Sequence, residues 1–209
     1  MDFIDNVNVT LKDDLALELQ KGSMLSIVAA DFSMYAFEAL RKELSEIEEL
    51  RFIFTDPTFI QKENSKKEKR EFYIPKINRE RRIYGTEFEV KLRNELNQKA
   101  IAKECAEWIK KKVTFKSNVG NKEITTRFIV LDDIAYYTVN SFTTVDLGCE
   151  RGNTMSTGIF KMKSPESQAL IEQFAKLWQN EEELKDVSNN VISSIARLIM
   201  KMRLSLFIS

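Results

Sequence analysis

Glu89-Val90-Lys91 carries a carboxylate and an ammonium at the spacing with which some metal-dependent nucleases hold magnesium and orient water, and Asp56 or Asp132 could add a second carboxylate. The same triplet also fits a charged helix, where such pairs arise without any metal. A second chemistry is phosphate binding. The stretch Gln61 to Arg82 holds nine bases, among them Lys66, Lys67, Lys69, Arg70, Arg79, Arg81 and Arg82, against four acids. It reads either as a solvated loop or as a phosphate-contacting arm, with Phe72 and Tyr73 able to stack on bases or to anchor the loop. Lys110, Lys111 and Lys112 form a shorter cluster, which would suit the negative end of a helix dipole or a nucleic-acid patch.

The chain has no histidine among its 209 residues. Hydrolases that use imidazole as base lose that part, and so do histidine-ligated zinc sites. The six glycines form no GxxxxGK[ST] phosphate cradle, so Phe128 to Asp133 reads as a strand and turn rather than a Walker B strand, and no ATP hydrolysis is expected. Gly148 to Asn153 reads either as a tight turn or as a backbone anion loop. Cys105 and Cys149 lie far apart and outside any CxxC pair, which predicts buried, reduced thiols and a cytoplasmic setting. No metal or cofactor is expected.

The elements that position these groups follow from periodicity. A composition of 43% hydrophobic and 31% charged residues, with 32 bases balancing 32 acids, describes one globular domain without a global charge bias. Leu11 to Gln20 reads as a helix, Met24 to Ala30 as a buried strand, Tyr35 to Leu50 as an amphipathic helix and Arg51 to Thr55 as a strand. This β-α-β start implies a parallel pair. Thr86 to Lys112 reads as one long helix, with Glu87/Lys91, Glu89/Arg93 and Glu95/Lys99 pairs on its wet side. Strands are predicted at Val113 to Lys116, Arg127 to Leu131, Ala135 to Val139 and Gly158 to Met162, and a helix from Ser164-Pro165-Glu166 through Trp178. The class is α/β (α+β), a mixed sheet with helices over it. Met1 to Gln20 lacks a signal-peptide core. Val191 to Ile208 has helical apolar spacing but is interrupted by Arg197, Lys201 and Arg203, so it reads as a packing helix and not a membrane span.

Thr125-Thr126-Arg127, then Asp132, then Ala135 to Thr143 with Asn140 and Ser141, resemble in layout the H-x-K-x4-D strand and following bend of the phospholipase D superfamily. Thr125 stands at the position of the histidine nucleophile and Arg127 at that of the phosphate-binding lysine. Further stretches are similar to the N-terminal phospholipase D-like domain of large bacterial Swi/Snf-type superfamily-2 helicases. They are Tyr84 to Glu89, Cys105 to Ile109, Val113 to Asn118 and Phe142 to Asn153, and the likeness covers most of residues 24 to 190. The resemblance implies a phospholipase D-like sheet flanked by helices on both faces and a single domain over 1–190. It implies that 191–209 is a C-terminal helix or a truncated boundary to a helicase motor in the same parent chain. The site it implies is degenerate and non-catalytic: Thr125, Arg127, Asp132, Asn140 and Ser141, with Arg127, Asn140 and Ser141 as a remnant anion pocket unless Arg127 pairs with Asp132 or Glu150. Its implied partner is nucleic acid, DNA in the first instance. A homodimer without nucleic-acid affinity and a metal-dependent nuclease are the alternatives.

Overall fold

The structure is a computed structural model and describes residues 1–57, 83, 85, 89, 95–120, 122–150 and 158–205. Along the chain the described elements are β1 (Asp2–Ile4), α1 (Leu11–Glu18), β2 (Met24–Ala29), α2 (Met34–Ala39), α3 (Arg41–Glu46), β3 (Glu49–Phe54), α4 (Glu95–Lys112), β4 (Val113–Asn118), β5 (Phe128–Leu131), β6 (Ile134–Tyr137), β7 (Ile159–Met162), α5 (Gln168–Trp178), β8 (Leu184–Asp186) and α6 (Ser188–Ser205). The strands form one eight-stranded sheet in the order β1-β7-β6-β5-β2-β3-β4-β8. β2, β3 and β4 are mutually parallel, and the outer pairings are antiparallel.

Helices cover both faces, as the α/β reading requires. Leu25, Ile27 and Ala29 of β2, Leu50, Phe52 and Phe54 of β3 and Phe115 of β4 face a large core shared with α1, α2, α3, α4 and α6. Val28, Ile53, Phe128, Val130 and Ala135 face the smaller core under α5, where Leu170 and Phe174 pack. Strands buried on both faces read as unbroken apolar runs, which is why β2 was legible from its composition.

The predicted helix from Tyr35 to Leu50 is instead two short helices that break at Leu40 (φ −118°, ψ 19°). The break returns the chain to β3 and brings the carbonyls of Leu44 and Ile47 to α4, where the Trp108 indole N–H (2.9 Å) and the Lys112 ammonium (2.7 Å) donate to them. Propensity is a weak prior, and these tertiary bonds override it. The helix expected to open at Ser164 begins at Gln168, with Ser164 to Ser167 forming a turn. β1 and β8 were not foreseen, since three-residue strands show no alternation to count. Helix α6 packs back on α4 and β4, burying Val191 and Ile195 completely. Among the described residues no helix is long and apolar enough to cross a membrane.

Because β5 runs against β2 and β6 against β5, the C-terminal ends of β2, β3, β4 and β6 share one end of the sheet with the start of β5. The candidate site lies there.

Candidate functional site

Two loops leave this end side by side. The loop after β2 and the loop after β6 continue the sheet's bonding beyond the strands: Ala30 N–H donates to Asn140 O (3.0 Å), Phe142 N–H to Asp31 O (2.8 Å) and Ser33 N–H to Phe142 O (2.9 Å). The pleat places Arg127 one step before β5, beside Ala29 of β2 and Thr138 after β6, on the face that Ile129 and Leu131 turn to the large core. Arg127 is half-buried, and its Nε is buried with no hydrogen-bond partner among the described residues. Neither Asp132 nor Glu150 pairs with it. Asn140 and Thr125 are exposed. Ser141 is not free for a ligand, since its hydroxyl donates to Asp31 Oδ2 at 3.1 Å.

The remaining expected site residues are not gathered here. Asp132 sits in the β5–β6 turn (φ 51°) and accepts from Met24 N–H at 2.9 Å, which ties the turn to the start of β2 at the opposite end of the sheet. Its role is to close a turn, and the sequence frame that grouped it with Arg127 ignored that the whole of β5 lies between them, a separation of about 17 Å. Lys110, Lys111 and Lys112 also lie at that opposite end, in the last turn of α4 before β4 starts. Lys110 pairs with Glu107 (2.7 Å) and Lys112 caps Ile47 O, leaving Lys111 exposed. Lys66, Lys67, Lys69, Arg70, Arg79, Arg81 and Arg82 lie outside the described residues, as do Lys91 and Arg151 to Asn153.

Glu89 was expected on the wet side of a helix and is instead wholly buried. Its Oε1 accepts from Ser33 Oγ (3.0 Å), Thr144 N–H (2.8 Å) and Thr144 Oγ1 (2.7 Å). A charged residue in a charged stretch offers no sequence signal for this burial. Gly85 makes room for it: with φ +96°, an added Cβ would stand 2.7 Å from both Glu89 Oε2 and the Tyr35 ring. Glu89 and Asp132 therefore occupy opposite ends of the sheet, so Asp132 is not the second carboxylate foreseen beside Glu89; Asp56, the alternative, follows β3 at the same end as Glu89. Among the described residues no three His, Cys, Asp or Glu side chains are grouped to hold a metal.

Sequence reasoning also missed Asp31, Ser33, Thr144 and Asp146. Burial pushes the Asp146 carboxyl up to about 6; the hydrogen bond from Thr143 opposes this, and the charges of Asp31 and Glu89 reinforce it. The native state thus holds a proton that the unfolded chain has lost between the ordinary aspartate range and pH 6, so this group lowers stability as pH rises through that window. Asp146→Asn is expected to stabilise the protein by on the order of 1–3 kcal/mol at pH 7.5, with the gain vanishing near pH 4. Urea titrations at the two pH values check this, and an equal gain at both would show that charge is not the cause.

Cys105 is buried as expected, and burial raises its thiol far above the usual range. Cys149 is exposed, contrary to expectation; it follows Gly148 (φ 77°), where an added Cβ would stand 2.7 Å from Asn6 Oδ1. Partial desolvation still pushes its thiol up to about 11, with Lys12 opposing and Glu150 reinforcing the rise. It is not an activated nucleophile.

No family model matches the chain, and no curated protein matches it. Among solved structures it is similar to the phosphatidylserine synthase of Haemophilus influenzae Rd KW20, at 15% identity and a TM-score of 0.49. The match covers 98% of this chain and 45% of that one, so the chain spans less than half the length of that structure.

Proposed function

We propose that this chain is a non-catalytic phospholipase D-like accessory module of a cytoplasmic ATP-dependent helicase, holding a nucleic-acid phosphate, DNA in the first instance, at Arg127. The observation that supports it is the Arg127 guanidinium: half-buried at the strand ends, with a buried Nε that no described group satisfies. A buried donor without an acceptor costs about 1–3 kcal/mol, a cost that an anion would remove. Guanidinium clamps phosphate through parallel hydrogen bonds and needs no nucleophile to do so. Asp31, Asp146 and Glu150 stand along the same two loops and Glu89 is bonded to both, so the end suits one phosphate and not a long phosphate track. Thr125 is an exposed threonine without a neighbouring imidazole, which fits binding without cleavage.

Fluorescent single- and double-stranded DNA should bind the full chain in a salt-dependent way, uncut with or without magnesium. Arg127→Ala is expected to weaken binding about tenfold and to reduce the salt slope by about one unit. Replacing Lys110, Lys111 and Lys112 with Gln should leave that contact unchanged, because they lie at the other end of the sheet. No binding at low salt, or a loss caused only by the lysine variant, would remove Arg127 from the interface, and cleaved product would return the nuclease reading.

One surface favours a second reading, homodimerisation. Tyr137 (40% exposed), Phe160 and Phe3 (60% exposed) line up across β6, β7 and β1, next to the sheet's open edge. Exposed aromatic rows beside a free strand edge serve as association surfaces. A mass that rises with concentration, without DNA affinity, is the result that separates this reading from the first.

A further inference from the structure

We infer that Glu89 is the positioning residue of the Arg127 end, an inference that rests on the anion-holding role proposed above. One carboxylate oxygen joins the two loops that frame Arg127. Ser33 belongs to the loop after β2, where its Oγ also accepts from Tyr35 N–H (3.1 Å) and so caps α2. Thr144 belongs to the loop after β6 and gives Glu89 both its amide and its hydroxyl. The Thr144 hydroxyl lies 2.9 Å from Glu150 Oε2 as well, and its single proton serves one carboxylate at a time.

A fully buried carboxylate is expensive unless several donors surround it. Oε1 has three within reach: the Ser33 hydroxyl, the Thr144 amide and the Thr144 hydroxyl. The backbone ladder of Ala30, Asp31 and Ser33 with Asn140 and Phe142 already joins the roots of the loops. Glu89 adds a side-chain tie at the outer end of that ladder, between Ser33 and Thr144. Ala29 and Thr138, the neighbours of Arg127, stand at the roots of the loops it ties. With the tie cut, that backbone ladder and the Ser141–Asp31 bond are left to hold the two loops together, and the wall against which the guanidinium lies loosens.

The test records the Thr144 N–H and Arg127 Nε–H signals of the full 15N-labelled chain, with the DNA titration run beside them. Glu89→Gln keeps an acceptor in place and is expected to leave both signals near their original positions and DNA affinity within about twofold. Glu89→Ala is expected to shift both signals, speed Thr144 amide exchange at least about tenfold and weaken DNA binding to a similar degree. An Ala variant that moves Thr144 and leaves Arg127 in place overturns the inference, as does a Gln variant that behaves like Ala. Where Ala prevents folding, Thr144→Val removes the hydroxyl and keeps the amide; it must still shift the Arg127 signal, and an unmoved signal overturns the inference. A native chain without DNA affinity removes the anion role alone, since the two signals still decide whether Glu89 positions Arg127.

Discussion

Phe32→Ala is expected to lower the free energy of unfolding by about 3–5 kcal/mol. Phe32 is fully buried in the loop after β2, not on a strand. Its ring meets Phe115 (5.2 Å) and Phe52 (5.8 Å) edge-on and stacks with Phe142 (5.9 Å) and Trp108 (6.4 Å). It therefore ties β3, β4, α4 and the loop after β6 at one point. Each aromatic pair adds about 0.5–1.5 kcal/mol beyond burial, and the rigid neighbours cannot collapse into the space left behind. The loss should appear as a fall in the urea midpoint with an unchanged slope. A loss under about 1.5 kcal/mol would mean that the cluster relaxes around the cavity.

Lys161→Met is expected to cost about as much, roughly 3–5 kcal/mol, for an electrostatic reason. The Lys161 ammonium is buried on β7 beneath α1, bonded to Asp14 (2.7 Å) and Glu18 (2.6 Å). Burial pulls its pKa down, but the bonds to the two acids more than offset this and leave it raised. The hydrogen bond from Lys161 holds Glu18 below its ordinary value. Tyr136 also donates to Asp14 (2.7 Å), so the variant would leave that site with two carboxylates, a phenol and only Lys163, 3.4 Å from Glu18. The sign with pH follows. In the native chain the depressed Glu18 contributes stability above the ordinary glutamate range, and this is lost as pH falls through its folded value. The raised Lys161 contributes below the ordinary lysine range and loses its share only as pH rises through its own folded value. In the variant the unpaired acids gain by taking up protons, so acidification toward pH 4 should recover part of the loss. A variant that weakens further on acidification would show that packing, not charge, was lost.

The strands that flank the site were legible because they are apolar on both faces and end at Asp, Asn or Gly. Met24 to Ala29 and Phe128 to Leu131 were placed almost to the residue. Arg127, Asn140 and Ser141, grouped in sequence as an anion pocket, do lie at one end of the sheet, because strand spacing carries them there, but Ser141 is taken by Asp31. The helix break at Leu40 was not legible, since nothing in Phe37, Leu40, Leu44 and Ile47 departs from helical spacing. Tertiary bonds hold the second piece in its own direction: Trp108 and Lys112 donate to the Leu44 and Ile47 carbonyls, and Gly22 to that of Glu46.

By itself, then, the sequence determined the class and the longer buried strands, through side-chain periodicity, and it determined which chemistries lack parts, through the missing histidine and the missing phosphate cradle. Tertiary structure alone decided which polar groups meet. It sent Asp132 and the lysine triplet to the far end of the sheet, gave Ser141 to Asp31 and drew Glu89 out of water to join two loops. The physical reason is that burial is decided by what packs against a residue. Glu89 looks the same as any solvated helix acid until Gly85, Ser33 and Thr144 surround it.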